Sequence, residues 1–422
     1  MSEQRTTEII SVGTELLLGH VTNTDARDVS EELSKIGVNV KYHTVVGDNP
    51  ERLRACVEIA KTRADILITT GGLGPTCDDL TKQILAESFG LPLVKNEEEY
   101  RGLYDYIHPD RPVTPNNWEQ AMLPEGCTVF HNTCGTAPGC AFEKDGKTVI
   151  MLPGPPKECN TMLKRSVIPY LKNGTTETIV SHTINIFGIG ESTVDYIFRD
   201  RMNQMTNPTM APYAKEADCL LQITAKANDA KTAEEMLTPL YALIMSEVGE
   251  YVYGIEVECI EQAVQALLLK HGKTFAAAES CTGGEIGKRI TDLPGASAVF
   301  CGGAVTYTNA VKAKLLTIPE ELIESNGAVS RIVAKEMSEN VRRILNADIG
   351  IGVTGLAGPD GDGVHEVGTV FVSLSDSEHT WVRELHLGEQ RSRSFIRRMA
   401  GNHAFDMIRR YLLGKEVGDI TE

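Results

Sequence analysis

The stretch Thr274–Ile290, TFAAAESCTGGEIGKRI, reads as a buried strand that breaks at a small polar corner and runs into a helix. Strand, tight turn and helix in that order make one βα unit. A chain built of such units folds as a parallel sheet with helices on both faces. The corner also poses a chemical question, because Ser280 and Cys281 stand at the carboxyl end of the strand with Gly283 and Gly284 just behind them. A phosphate-binding loop, a cysteine nucleophile and a serine nucleophile are the three answers open to it.

Working outward, the chain of 422 residues is 41% hydrophobic. At roughly 100–200 residues per domain this allows two or three domains, each with its own core. The formal net charge of −17 repels polyphosphate backbones, so nucleic acid is not an expected partner. Only RSRSFIRRM, Arg391 to Met399, is locally basic, and its arginines suit a small anionic ligand better than a duplex. The amino terminus MSEQRTTEII is polar and leads straight into a strand, and the apolar runs elsewhere are too short or too interrupted to cross a bilayer. The chain therefore reads as soluble and cytoplasmic, with no membrane partner. None of its 10 cysteines stands in a Cys-x-x-Cys spacing, so they read as reduced, buried small hydrophobes.

From Thr7 the sequence alternates strand and helix: EIISVGTELLLG, NTDARDVSEELSKIG, VNVKYHTVVG, PERLRACVEIAKTRA, then DILITTGGLGPTCDDLT opening into a Gly-rich turn. This predicts a doubly wound parallel sheet over residues 1–172, with ligands at the carboxyl ends of the strands. The loops HNTCGTAPGC (His131 to Cys140) and MLPGPPKE (Met151 to Glu158) are stiffened by glycine and proline and are placed to close over the same site. A linker at LKNGTTET, Leu171 to Thr178, precedes a short α+β segment over 175–254 whose function is not readable. A third, α/β domain spans 256–416, and the tail from Gly414 reads as frayed.

At the serine corner, a P-loop needs four residues between its glycines and a Ser or Thr after its lysine. Only three residues separate Gly283 from Gly287, and Arg289 follows Lys288, so that reading fails on spacing. A catalytic cysteine needs a lowered pKa and a histidine partner. No motif places His271, His365, His379, His386 or His403 beside Cys281, which reads as a structural thiol. A serine at the end of a strand is exposed at the sheet edge and lies over helix amides that stabilise an oxyanion. The competing reading is that Ser280 or Thr282 simply caps the helix.

The third domain carries AESCTGG, VTYTNAVKAKLL, GAVS, GVTGLAGP, VGTV and a final IRR in order, and so resembles the carboxyl-terminal domain of the CinA family, the nicotinamide mononucleotide (NMN) amidohydrolases. The resemblance implies Ser280 as nucleophile and Lys312 as general base, with no cofactor. It implies substrate contacts from Thr282, Gly283, Tyr307, Thr354, Gly355 and Arg397, the last toward an anion. A lysine base must be neutral, which calls for a dry site, whereas Lys314 two residues on is expected in solvent. The Gly-rich loop Thr354–Gly361 offers free amides to a phosphate or an oxyanion, or else is a plain tight turn. The family often has Lys-Pro before its Val-Gly, where this chain has His365 and Glu366, so no ligand contact is carried over to that loop.

In the first domain SVGTELLLG, NTD, GGLGPTCDDLT, GTAPG and PGPPKE resemble the molybdopterin-binding (MoCF) fold as it occurs in CinA proteins. The resemblance implies a nucleotide- or pterin-sized ligand on Gly71, Gly72, Gly74 and Thr76 and, in some members, metal-dependent ADP-ribose pyrophosphatase activity. Asp78 and Asp79 are then the residues to hold a divalent metal, although an Asp pair near a helix start is often only a cap. The middle segment is similar to the family's KH-like part, yet its GIGE, Gly188 to Glu191, is not the Gly-x-x-Gly clamp of RNA binding. Three readings follow: an NMN amidase, an ADP-ribose pyrophosphatase, and a non-catalytic binding protein linked to competence or DNA damage. NMN and ADP-ribose are the ligands implied, and a homodimer is the family expectation.

Overall fold

A computed structural model describes residues 5–108, 112–172 and 178–420. The chain divides into two compact units, one of Met1–Val180 with Ala225–Glu235 and the other of Ser181–Thr224 with Met236–Glu422. Most of the linker expected at Leu171–Thr178 lies outside the described residues.

In the first unit the strands Asn39–Val46, Thr6–Val12, Ile66–Thr70 and Lys147–Leu152 lie side by side in that order, all parallel. Successive side chains of a strand leave opposite faces of the sheet. Accordingly Ile10, Leu67 and Val149 feed one core, and Ile9, Ile66, Ile68 and Ile150 feed another. Helices cover both faces, as expected of a doubly wound sheet. The antiparallel strands Gly139–Lys144 and Thr128–Phe130 extend it at one edge. Helix starts follow local chemistry: Asn23 accepts from the Ala26 amide ahead of Thr24–Lys35, and Asn49 accepts from the Arg52 amide ahead of Pro50–Arg63.

A four-stranded sheet of Thr209–Ala214, Cys219–Ala227, Thr178–Ile186 and Val252–Ile255, with the helices Glu191–Gln204 and Ala230–Val248, forms the middle segment. Within the second unit the buried Arg409 of the last helix, Arg393–Leu412, donates to the carbonyls of Val252 and Glu250 at 2.9 and 3.1 Å.

The last sheet has the order Phe300–Val305, Phe275–Glu279, Ile349–Gly355, Thr369–Ser375, Thr380–His386, Asp419–Ile420. Its first three strands are parallel, and the βα expectation holds there. The remaining neighbours are antiparallel; of these, Thr369–Ser375 and Thr380–His386 are joined by a tight turn too short for a crossover helix. The tail is not wholly frayed: Asp419 and Ile420 pair with Val382 and Trp381. The short side chains of Ala276, Ala277 and Ala278 let helices close on both faces of their strand, Ala277 entering one core and Ala276 and Ala278 the other.

Helix Arg331–Ile344 approaches this sheet closely over Gly352, where an added Cβ would lie 2.5 Å from the Ala334 carbonyl and 2.7 Å from the Ser338 amide. Gly352→Ala is therefore expected to lower stability by about 1–3 kcal/mol through overpacking. Urea unfolding at unchanged m-value checks this, and an unchanged midpoint would refute the close approach.

Candidate functional site

Ser280 sits where Phe275–Glu279, the middle one of the three parallel strands of the last sheet, ends. Its amide donates to the Val353 carbonyl at 2.9 Å, and the carbonyl of the preceding Glu279 accepts from the Thr306 amide at 2.8 Å. The corner is thus pinned to the strands on either side. The helix that follows, Glu285–Thr291, begins at Gly284 with no capping side chain at that position. Its free amides are taken instead by the buried carboxylate of Glu279, which accepts from Gly284, Ile286 and Gly287 at 3.0, 3.1 and 2.9 Å. Neither Ser280 nor Thr282 caps the helix, so the competing reading of the corner does not hold.

Lys312 enters from helix Asn309–Leu316, whose first turn is capped by Thr308. Its side chain is 1% exposed, and Nζ lies 3.0 Å from Ser280 Oγ and 3.0 Å from the Thr306 carbonyl. No carboxylate pairs with it among the described residues, and burial holds its pKa below the ordinary lysine value. Lys314 is exposed. Cys281 is buried and desolvation pushes its thiol up to about 12, so it carries no thiolate at neutral pH.

Around the pair, Gly283 N donates to the Ser280 carbonyl at 3.0 Å, whereas the Thr282 amide has no acceptor among the described residues. The hydroxyls of Thr282 and Thr306 are buried without a partner, an arrangement that natural sites rarely leave uncompensated. Thr354 and Gly355 end the neighbouring strand. Thr354 Oγ1 is spent on the Ala328 carbonyl at 2.7 Å, and Gly355 leaves room for the Thr369 carbonyl 2.7 Å from where a Cβ would stand. Arg397 is directed to the corner's backbone, donating from Nε and Nη2 to the Thr282 carbonyl at 3.1 and 2.6 Å. One turn earlier Arg393 ties the exposed Tyr307 hydroxyl to the Gly358 carbonyl, each at 2.6 Å. Sequence reading passed over Glu279, which a strand ending in a carboxylate does not distinguish, and Arg393, for which the basic run was the available signal.

The glycine loop of the first unit lines a cavity of about 570 Å³ together with Thr136, Ala137, Gly154 and Glu158. The three loops expected to share a site do share it. A Cβ on Gly154 would lie 3.2 Å from Gly71 Cα, and Asn132 Nδ2 donates to Glu158 Oε2 at 2.7 Å. Gly71 adopts φ +94 with the Val12 carbonyl 2.2 Å from a notional Cβ, so no side chain fits there. Gly72 and Thr76 also line the cavity, as do Asp78 and Asp79. Asp79 accepts from the Thr76 amide and hydroxyl at 2.9 and 2.6 Å and so holds the loop closed over Gly74. Glu15 and Asp48 add two carboxylates that the sequence reading did not include.

Hard oxygen donors of this kind fit a divalent cation that shares its shell with phosphate oxygens. No three His, Cys, Asp or Glu residues converge to hold a metal by themselves among the described residues. No helix among those residues is long and apolar enough to cross a membrane.

This α/β architecture carries a serine beside a dry lysine at one strand end and a glycine-loop cavity at another. Comparison with known proteins names the class. Residues 257–412 match the CinA C-terminal domain, 8–173 the probable molybdopterin binding domain and 181–254 the damage-inducible protein CinA KH domain. A putative competence-damage inducible protein of Thermoanaerobacter pseudethanolicus is 46% identical over 412 residues, 97% of this chain and 99% of its own. A CinA-like protein of Desulfovibrio desulfuricans is 46% identical over 414 residues, 97% of each chain. The chain belongs to the CinA family. Among solved structures, that of CinA from Thermoplasma acidophilum is 33% identical and covers 39% of this chain and 96% of its own, with a TM-score of 0.37.

The capping assignment separates two substitutions. Glu279→Ala is expected to cost about 3 kcal/mol or more, because three amides lose a charged acceptor, and Ser280→Ala about 1 kcal/mol or less. Denaturant titration of both decides it, and equal losses would return the cap to the serine.

Proposed function

We propose that the carboxyl-terminal domain is a serine/lysine amidase that converts NMN to nicotinate mononucleotide and ammonia. The observation that carries this reading is the 3.0 Å approach of Lys312 Nζ to Ser280 Oγ in a buried setting with no carboxylate partner among the described residues. Neutral Lys312 takes the hydroxyl proton as Ser280 Oγ attacks the carboxamide carbon. The oxyanion that forms is met by turn amides, Thr282 N among them. Collapse of the intermediate breaks the C–N bond, and the lysine returns its proton to the departing ammonia. Water, deprotonated by the same lysine, then releases the acyl group. Thr354 and Gly355 shape the floor of this site, Gly283 and Tyr307 its rim, and a homodimer is the assembly that belongs to this reading.

Ammonia release from NMN without added metal, measured for folded wild type, Ser280→Ala and Lys312→Ala, is the test. Both variants are expected to lose at least about 10³-fold in kcat/KM. An inactive wild type, or a Ser280→Ala enzyme that keeps its rate, would remove the reading. Because burial lowers the Lys312 pKa, kcat/KM should rise with pH to a plateau on a limb centred below the ordinary lysine value of 10.5.

A second reading, favoured by the 570 Å³ cavity, is cleavage of a dinucleotide pyrophosphate such as ADP-ribose in the first unit. Gly71, Gly72 and Gly74 let backbone approach the phosphates, Asp79 keeps the loop shaped through Thr76, and Asp78, whose Oδ1 accepts from Cys77 Sγ at 3.8 Å, would share a divalent cation with them. The cation would neutralise phosphate charge there. AMP and ribose 5-phosphate should appear only with added divalent metal and should vanish in Asp79→Ala. Survival of the activity in that variant would place the site elsewhere.

A further inference from the structure

Beside the glycine-loop cavity lies a smaller one of about 60 Å³, which shares Val12, Glu15, Val21, Gly154 and Pro156 with it. A water molecule occupies roughly 30 Å³ of liquid, so this space admits an ion with a water and excludes a nucleotide.

Asp25 lines the smaller cavity at 6% exposure, and its Oδ1 is shut from solvent with no hydrogen-bond partner. The helix does not need this carboxylate. Its first turn is already capped by Asn23, which accepts from the Ala26 amide at 3.2 Å and donates to Ser11 Oγ at 3.0 Å. No Lys, Arg or His pairs with Asp25 among the described residues. A buried carboxylate left this way is costly unless a counter-charge reaches it. The other carboxylate of the cavity is Glu15; Thr22, Asn23, Thr24 and Thr70 add side-chain oxygens beside the apolar Val12, Leu16, Val21 and Pro156, and the lining has no cysteine or histidine. Such donors select hard cations over zinc or copper.

We propose that Asp25 and Glu15 seat a hard divalent cation, magnesium or manganese, in this side cavity, apart from Asp78 and Asp79. The inference deepens the second reading above, since a cation here stands at the wall of the cavity assigned to the pyrophosphate. It is tested by binding and not by turnover.

Manganese chloride titrated into the full chain and followed by the electron paramagnetic resonance of free Mn²⁺ gives the measurement, on wild type, Asp25→Ala, Glu15→Gln and Asp78→Asn. In the absence of nucleotide, whose phosphates an Asp78-bound cation would share, Asp25→Ala and Glu15→Gln should weaken binding by about tenfold or more for each lost charge, and Asp78→Asn should weaken it less than either. Should Asp25→Ala fail to fold, Asp25→Asn keeps the shape with a neutral ligand, and wild-type affinity in it would overturn the proposal. So would a wild type that binds no manganese, or a loss confined to Asp78→Asn. Manganese bound through Asp25 by a protein that does not cleave ADP-ribose would leave this site standing and remove only the second reading.

Discussion

A single buried carboxylate organises the serine corner. Glu279 ends the strand that leads into it, and its side chain satisfies three amides at the start of the next helix. Charge-assisted bonds of this kind outweigh ordinary caps, because the free amides and the helix dipole both favour the negative charge. With that work done by Glu279, Ser280 is held by its backbone alone and its hydroxyl is left to meet Lys312. The strand's alanines contribute as well: they bring the covering helices close enough for the corner to be shielded on both faces.

The two arginines of the last helix show how one turn separates roles. Arg397 is committed to the Thr282 carbonyl and so stiffens the turn behind the serine. Arg393, four residues earlier, bridges Tyr307 and Gly358 and ties together two loops that border the same site. The resemblance pointed to Arg397 as an anion contact, but geometry gives it a positioning task first.

Much of the fold was legible because it is written locally. Asn23 and Asn49 mark helix starts, and strand periodicity separates Ile9 from Ile10 into different cores. The parallel strands follow from the helices between them. The antiparallel half of the last sheet was not read as such, although only four residues separate Thr369–Ser375 from Thr380–His386, too few for a crossover helix. Of the site, Ser280 and Lys312 are 32 residues apart, and only the ordered motifs of a family link them; the 3.0 Å contact belongs to the tertiary structure. Asp25 escaped for the opposite reason: an acidic residue in a first helical turn is so ordinary that its burial could not be read from the pattern.

The dryness of Lys312 ties function to folding. In the unfolded chain this lysine takes a proton at its ordinary value of 10.5, but in the folded one burial holds its pKa lower. The folded state therefore binds fewer protons in the interval between the two values, and stability drains away as the pH falls from the upper to the lower. Below the folded pKa the ammonium is present in both states and the loss is complete. The dry surroundings that suit the lysine to the proposed role of base thus set a standing cost on the fold at neutral pH, and a substitution that opened the site to water would recover stability while raising the Lys312 pKa toward its ordinary value.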